Sequence, residues 1–474
     1  MIYLLKKFSF KNQDFSIFHA QSFVISFFLI NWAWVEHYLD TKANAWGLVF
    51  LTLGVCLAFR KIRVATSLIT FSLSLGLFCQ SWPAPSNHVV LLTLFVALIC
   101  LAHLKLFQLA TSGGRSLFAL LLAVTYGFAV FHKLNWDFLL SSESCSKMVF
   151  LRFHRENGWN LLEWFTSGFP HGEFQKIFAI SSLLVEALLG IAFFIGRTNR
   201  FIIALCLSFH IFLGFCGFRD FSTLIVAILF LVVPTSEPST RLFSFKRSFF
   251  WIGLCLILRT LTELFPSYDF NGTSLLLTNI FWAGGILLIS RELFPLSYPS
   301  KNFLSMRIVT SNWKIAFFFM CILIHGLSPY FGFRTVSNFS MFSNLRVEGN
   351  HTNHVFPFLL KLQIIEWTSD LVEVQRIQFS GQGNILKAEK ERGQFRWLFA
   401  STPVLIPKIE IQRFAHYYRY RNDSPRLEIL ADGENKFFDS EQLREVYGEA
   451  PMWKRLFFAF RGVSPHSQAN KCFW

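Results

Sequence analysis

The chain has 474 residues, of which 53% are hydrophobic and only 15% are charged, and it contains 60 phenylalanines. Soluble domains carry about 25% charged residues, so this composition argues against an ordinary soluble fold. The net charge of +15 would suggest nucleic-acid binding in a soluble protein. Most of the excess, however, lies in short loops between apolar blocks, where basic residues orient membrane helices. No nucleic-acid partner is therefore expected.

The apolar residues fall into blocks of roughly 15 to 22 residues, the length that crosses a hydrocarbon core about 30 Å thick. Helices suit this setting because they satisfy their own backbone hydrogen bonds. The expected fold class is an all-α polytopic membrane helix bundle of about eleven spans with a small C-terminal α+β extramembrane domain. The predicted spans are 18–34, 45–59, 64–78, 89–104, 116–131, 174–195, 201–216, 221–233, 249–264, 274–289 and 313–327.

The distribution of basic residues predicts the orientation. Lys and Arg number seventeen in the set of loops that begins with the N-terminus and five in the alternate set, which favours a cytoplasmic N-terminus. The first apolar block has no small-residue cleavage site after it, so it is expected to stay as a span. An odd number of spans places the C-terminal domain in the periplasm or lumen. We expect a multi-pass protein of the bacterial inner membrane, or of the ER membrane if the source is eukaryotic.

Two domains are expected, a transmembrane domain over 1–329 and an extramembrane domain over 330–474. Within the first, segment 135–173 mixes aromatic and charged residues and is typical of helices that rest on the outer leaflet. In the second, 372–377 and 426–430 look like strands bounded by turn residues. Segments 439–446 and 452–460 look helical, and the latter is amphipathic and basic enough to touch the membrane.

Seven of the nine cysteines lie inside apolar blocks, where a thiol is usually an inert small hydrophobe. Cys145 and Cys472 lie outside these blocks, on the face predicted to be oxidising, so a disulfide between them is one expectation. The sequence contains no CxxC motif and no His/Cys cluster, so no metal is expected.

Ionisable residues at membrane depth mark function by default because they cost several kcal/mol. The candidates are His88, Lys133, Glu186 and His210. Each has a plain structural alternative: Lys133 can extend to the interface, and His88 can be a polar helix start. Glu186 and His210 can be satisfied by hydrogen bonds inside the bundle. The predicted topology places His88 and Lys133 at the same outer end of adjacent spans, where a base and a hydrogen-bond donor would share one pocket.

Segment 126–137, YGFAVFHKLNWD, resembles the part of vitamin K-dependent γ-carboxylases that carries the catalytic lysine. The matching positions are Tyr126, Ala129, Lys133, Leu134 and Asp137. Asn87-His88 resembles the Asn-His pair of that family, and 209–221 resembles a further helix pair of the superfamily. Its bacterial branch is called the horizontally transferred transmembrane (HTTM) domain. The match covers roughly residues 16–234, and weaker similarity continues through 327–330 and 341–346.

The resemblance implies a membrane enzyme in which Lys133 is the general base on a reduced vitamin K, menaquinol or similar lipid-soluble quinol. His88, held by Asn87, would stabilise developing negative charge. In the γ-carboxylases, oxygenation of the hydroquinone yields a strong base that removes a γ-proton from Glu, and the carbanion captures CO₂. A protein or peptide substrate on the outer face would then be a partner, besides membrane lipid. A lysine can accept a proton only when neutral, and an apolar setting disfavours its charged form.

Further residues implied as supporting the site are Tyr126, His132, Asp137, Glu186 and His210. The sequence also departs from the family. His132 stands where the carboxylases have a second lysine, Asn135 stands where they have an aspartate, and the outer domain is shorter than the glutamate-binding region of the animal enzymes. The alternative function is a membrane-anchored scaffold, or a lipid-binding or partner-binding protein, without catalysis.

Overall fold

The computed structural model describes the chain in stretches. They are residues 29, 45–58, 63–80, 82, 85–104, 112–141, 144–157, 171–233, 279–280, 282–287, 290, 313–336, 338–340, 343–349, 351–364, 370–378, 403–419, 425–431, 433–460 and 462–464. The predicted span 249–264 lies outside the described residues, and so does 18–34 apart from residue 29. Part of the predicted span 274–289 and Cys472 also lie outside them.

The described part of the first 330 residues is helical. Its helices are α1 (Ala45–Ala58), α2 (Arg63–Gln80), α3 (Asn87–His103), α4 (Ser112–Lys133), α5 (Trp136–Leu140), α6 (Cys145–Asn157), α7 (His171–Phe194), α8 (Arg200–Phe215), α9 (Arg219–Val232) and α10 (Trp313–Leu327). Helices α1–α4 and α7–α10 coincide with eight of the predicted spans. The apolar blocks therefore predicted the positions of these helices correctly.

Two helical stretches are long and apolar enough to cross a membrane, Gly114–Lys133 in α4 and Lys176–Phe194 in α7. Five further apolar helices are shorter, namely Gly47–Leu57, Val64–Cys79, Asn87–His103, Arg200–Phe215 and Ile315–Leu327. A mostly helical fold is thus confirmed for the described residues, whereas a bundle of eleven spans stays a prediction.

Helix α4 lies at the centre of the bundle and packs against α7 and α9. Every residue of α9 from Phe221 to Val232 is buried, as expected for a helix that is apolar all round and enclosed by its neighbours. Helix α7 lies at the edge of the bundle. Its exposed side chains are spaced three or four residues apart and form one stripe: Ile177, Ile180, Leu184, Leu188 and Ile191.

Glycines permit the closest helix contacts. A Cβ atom on Gly326 of α10 would lie 2.2 Å from the Phe128 ring of α4, and one on Gly214 of α8 would lie 2.1 Å from the Trp282 ring. These distances are far below van der Waals contact, so a residue without a side chain is required at both positions.

Two short helices follow α4 in the predicted interfacial segment. Asn135 caps α5 by accepting a hydrogen bond from Phe138 N at 2.8 Å. Cys145, the first residue of α6, donates its backbone N–H to Asn344 Oδ1 at 2.8 Å. Cys145 is disulfide-bonded, whereas Cys56, Cys79, Cys100, Cys206, Cys216 and Cys321 are free. The Cys145–Cys472 pairing and the interfacial position of this segment stay predictions.

The described residues of 328–362, which we call the covering segment, cover the C-terminal ends of α4 and α10. Tyr330, Leu345, Val347 and Leu359 form a buried cluster against which Phe131 and Leu327 pack. The backbone of 353–355 runs beside 134–136, with Trp136 N donating to Asn353 O and Val355 N donating to Leu134 O, both at 2.9 Å. The C-terminal half of the chain is thereby joined directly to the end of α4.

The C-terminal region contains a four-stranded antiparallel sheet, as expected for a small α+β domain. Its elements are β1 (Leu371–Gln378), β2 (Val404–Pro407), α11 (Lys408–Tyr418), β3 (Arg426–Ala431), β4 (Glu434–Phe438), α12 (Ser440–Tyr447) and α13 (Met452–Phe457), with strand order β2-β1-β3-β4. Buried residues of β1, β2 and β3 pack against Ile411, Phe414 and Tyr418 of α11. Both predicted strands are confirmed, but α11, β2 and β4 were not predicted.

The predicted helix over 452–460 is shorter in the structure. Helix α13 ends at Phe457, because the next residues pair with another segment. Ala459 forms a parallel bridge with Arg334, and its carbonyl accepts a hydrogen bond from Thr335 N at 2.9 Å. This pairing connects the sheet domain to the segment that follows α10.

Candidate functional site

The site centres on Lys133, the last residue of α4, and Glu186 in the middle of α7. Lys133 Nζ lies 2.6 Å from each oxygen of the Glu186 carboxylate. Both residues are buried, with 3% and 6% of their surfaces exposed. The Phe138 ring lies below the lysine nitrogen, 5.7 Å away. The pair therefore sits between apolar helices and is largely withdrawn from solvent.

Two short contacts from one nitrogen to both carboxylate oxygens are the geometry of an ammonium–carboxylate ion pair. In such a pair each ion compensates the other in a setting where a lone charge is very costly. The role of Lys133 as a general base stays a prediction.

The close packing of α4 on α7 brings the pair together. A Cβ atom on Gly190, one turn after Glu186, would lie 3.4 Å from Tyr126 Cβ and 3.5 Å from Gly127 N. The small residue thus lets the two backbones approach, as small residues do in membrane helix pairs. Tyr126 lies seven residues before Lys133, which places both on one face of α4.

Tyr126 begins a second buried polar chain. Its hydroxyl lies 2.6 Å from His210 Nε2, and His210 Nδ1 lies 3.3 Å from Ser222 Oγ. Cys206 Sγ lies 3.4 Å from the same hydroxyl. The chain joins α4, α8 and α9 through side chains that are all buried. Glu186 and His210 thus both form hydrogen bonds inside the bundle, which is the structural alternative that the sequence left open for them.

Cys206 and Ser222 were missed as members of this chain. Cys206 lies four residues before His210, a spacing that places both on one helix face. Ser222 is a small polar residue in an otherwise apolar helix. Both signals were present in the sequence, but neither predicts that the three helices meet at Tyr126.

His132 and Asn87 contact one peptide unit from opposite helix ends. His132 Nε2 lies 3.1 Å from the carbonyl oxygen of Asn338, and Phe339 N donates to Asn87 Oδ1 at 2.7 Å. The carbonyl and the N–H belong to the same peptide unit. His132 Nδ1 also lies 3.1 Å from Tyr330 Oη, and the two rings stack. The structure thus links the start of α3 to the end of α4.

Asn87 and His88 have different partners among the described contacts. The side-chain oxygen of Asn87 accepts from Phe339 N, and His88 Nε2 lies 2.9 Å from Ser86 Oγ. Asn87 therefore fixes the segment that covers the helices. His88 lies in the first turn of α3. That Asn87 holds His88, and that His88 shares a pocket with Lys133, stay predictions.

Asp137 belongs to a polar network at the start of α5. Asn353 Nδ2 donates to Asp137 Oδ2 at 2.7 Å and to Asn344 O at 2.6 Å. Asn353 Oδ1 in turn accepts from Arg346 N at 2.7 Å. Through Asn353, Asp137 thus connects α5 to the covering segment and helps to position it.

His354 fastens the covering segment to α4. Its Nε2 donates to the Phe131 carbonyl at 2.8 Å, and its Nδ1 accepts from Phe356 N at 3.1 Å. Only the neutral imidazole can make both bonds, because protonation would place a second donor at Nδ1. Burial lowers the pKa of His354 below its ordinary value of 6.5, although the Phe131 carbonyl favours the charged form.

Arg334 connects the sheet domain to the helices. Its guanidinium lies 4.5 Å from the centre of the Trp82 ring, in the turn between α2 and α3. Burial, and to a smaller extent the charge of Arg413 in α11, lower the pKa of Arg334 to about 10, while Glu410 opposes the shift. Even so, the group remains a cation at neutral pH.

Among the residues that the structure describes, no group of three or more His, Cys, Asp and Glu side chains could hold a metal ion. The chain matches no protein-family model, no curated protein and no solved structure. The resemblance to the γ-carboxylase superfamily therefore stays a prediction from the motifs of the sequence.

Proposed function

We propose that this chain is a multi-pass membrane enzyme of the HTTM type that moves a proton to and from a lipid-soluble, quinol-like substrate. The observation that carries the proposal is the buried contact between Lys133 and Glu186 at 2.6 Å. Ionisable pairs within apolar helices are rare and mark proton or substrate pathways. A surface lysine that merely extended to the interface would have no need of a buried carboxylate.

The roles of the residues follow from their contacts. Glu186 accepts the proton of the Lys133 ammonium, and the neutral amine then accepts a proton from a substrate hydroxyl. Phe138 keeps water from the nitrogen on one side. Tyr126 shares a helix face with Lys133 and is positioned by His210. When bound, a reduced vitamin K or menaquinol-type quinol would react with O₂ to supply the strong base that the resemblance implies, with CO₂ and a peptide glutamate as further reactants.

The decisive experiment compares wild type with Lys133→Arg. Arginine keeps the positive partner of Glu186 but cannot release its proton at any accessible pH. Purified protein is incubated with reduced menaquinone, O₂, labelled bicarbonate and a glutamate-containing peptide, and quinone epoxide and fixed label are measured. Loss of the lysine base should lower the rate by about 10² to 10⁴.

Lys147→Arg, in α6 and outside the pair, is the matched control and should keep the wild-type rate. A wild-type preparation that forms neither product, or a Lys133→Arg variant as active as wild type, would reject catalysis by this pair. The scaffold function would then be the better account.

The proposal includes an orientation, with the N-terminus in the cytoplasm and the sheet domain outside. The disulfide of Cys145 supports it, because disulfides persist in oxidising compartments. Glu434→Cys, at a position whose side chain is 77% exposed, should react with a membrane-impermeant maleimide in intact cells or sealed right-side-out vesicles. Labelling only after the membrane is opened would reverse the orientation.

A further inference from the structure

An apolar turn projects from the segment that covers the helices. Residues 356–364 contain a 3₁₀ turn, Pro357–Leu362, and we call this stretch the apolar turn. Its exposed side chains are Phe356 at 41%, Phe358 at 59%, Leu362 at 45% and Ile364 at 73%. Single exposed apolar residues are ordinary, but four within nine residues form a patch that marks an interaction site.

The position of the turn is fixed by its buried side. Leu359 is 8% exposed and lies in the cluster with Tyr330, against which Phe131 and Leu327 pack. Phe131 is in the last turn of α4, and Leu327 ends α10. The exposed side chains therefore stand about one side-chain layer beyond the ends of two apolar helices.

Contacts between aromatic rings also place the apolar turn beside the end of α4. The His354 ring lies 5.0 Å from that of Phe131 and 5.5 Å from that of Phe356, and Phe356 lies 5.9 Å from Phe358. On the neighbouring segment, Trp136 is 53% exposed three residues after the end of α4. Several exposed aromatic rings thus occur at one level, just where the long apolar helix ends.

We propose that the apolar turn is seated in the outer leaflet of the membrane, with Phe356 and Phe358 at the level of the lipid headgroups. Aromatic side chains are enriched at this depth because their rings are favourable between hydrocarbon and water. The short connection through Leu359 holds the turn against the helix ends, so it cannot reach a protein partner far out in water. The inference rests on the proposed membrane arrangement of α4 and α7.

The position of the apolar turn in the outer leaflet indicates the side from which a substrate reaches Lys133. Lys133 lies two residues after Phe131, so the end of α4 that carries the Lys133–Glu186 contact lies on the membrane side of the apolar turn. An amphiphilic substrate with an apolar tail and a polar head would place its hydroxyl at this depth while its tail stays in lipid. The outer leaflet is therefore the source of the substrate.

The test measures depth directly. A fluorescent amino acid is incorporated in place of Phe358, and the full-length protein is placed in vesicles of phosphatidylcholine and phosphatidylglycerol. In one set of vesicles some of the lipids carry a nitroxide close to the headgroup, which reports on positions 358, 362 and 446. In a second set the nitroxide is on the acyl chain, which reports on position 184. Matched probes replace Leu184, on the exposed stripe of α7, and Val446, exposed on α12 of the sheet domain. A probe in place of Leu362 repeats the measurement if the Phe358 variant folds poorly.

We expect the probes at 358 and 362 to lose most of their emission, and the probe at 446 to lose none. Loss at 184 with none at 358 and 362 would overturn the inference while leaving the membrane arrangement intact. Absence of quenching at 184 as well would overturn both. Equal loss at 358 and 446 would also reject the inference, since it would show that quenching does not depend on the turn.

Discussion

Asn87 and Phe339 are joined by a hydrogen bond of 2.7 Å across 252 positions of sequence. Phe339 has a φ of 64°, a left-handed conformation that costs a bulky residue roughly 1–3 kcal/mol. The preceding carbonyl, that of Asn338, contacts His132. This backbone conformation therefore turns one peptide unit toward two helix ends, and the contacts at those ends offset part of its cost.

Replacement of Asn87 should loosen this junction. Asn87→Leu leaves the N–H of Phe339 without its acceptor, which costs about 1–3 kcal/mol, whereas Asn87→Asp keeps the acceptor. Thermal unfolding in detergent and the rate of proteolytic cleavage within 338–349 measure the effect. Equal stability of the leucine variant and wild type would show that the bond contributes nothing.

The Lys133–Glu186 pair should show strong coupling. Lys133→Met leaves a buried carboxylate uncompensated, and loss of one partner of a buried pair costs about 3–5 kcal/mol. The double variant Lys133→Met with Glu186→Leu should recover much of this stability, because neither charge remains. A double-mutant cycle from unfolding in detergent measures the coupling. Additive losses in the double variant would contradict a buried ion pair.

Two glycines on facing helices offer a matched comparison of packing. Gly326→Ala places a methyl group 2.2 Å from the Phe128 ring, which cannot move freely because it stacks between His132 and Phe339. Overpacking of this kind lowers the free energy of unfolding by about 1–3 kcal/mol.

Gly127→Ala, with nothing within 4 Å of the new methyl, should be neutral or stabilise α4 by up to about 1 kcal/mol. The melting temperatures of the two variants in one detergent provide the comparison. A similar change in both would show that α10 does not approach α4 as closely as described.

His354 should make the junction sensitive to acid. Because burial lowers its folded pKa below 6.5, the unfolded state binds the proton more tightly, so acid favours unfolding. Its stabilising contribution is complete above about pH 6.5 and is lost as the pH falls through the lower folded value. Hydrogen exchange of the Val355 and Phe356 amides should therefore accelerate on acidification, after correction for the intrinsic pH dependence of exchange.

A His354→Asn variant controls for other groups in this cluster, including His132 and Tyr330. In this variant the Val355 and Phe356 amides should exchange faster at neutral pH. After correction for intrinsic exchange, their rates should change less with pH than in wild type. If wild type and variant have the same pH profile, another group titrates at the junction.

The sequence allowed the helices to be placed because their signal is local. Eight predicted spans match helices, and the alternation of buried Val372 and Val374 in β1 was visible as a strand pattern. Residue partners depend instead on how each helix is rotated about its axis. Glu186 and Lys133 were both recognised as candidates, but nothing in the sequence placed their side chains in contact.

The same limit explains the other surprises. The resemblance of Asn87-His88 to a family motif did not predict that Asn87 accepts a hydrogen bond from a backbone N–H 252 residues away. The link from His210 to Ser222 requires α8 and α9 to turn toward each other at Tyr126. Such contacts follow from tertiary packing, which a periodic pattern of apolar residues does not specify.

The covering segment is synthesised long after the helix end that it covers. Helix α4 is made about 200 residues before Tyr330 and Asn338, which later cover His132 at its end. A growing chain that stops near residue 320 contains both Lys133 and Glu186 but lacks the residues that cover the C-terminal end of α4. The covering of this end is thus a late, long-range step of folding, and such distant contacts form slowly because a large loop must close first.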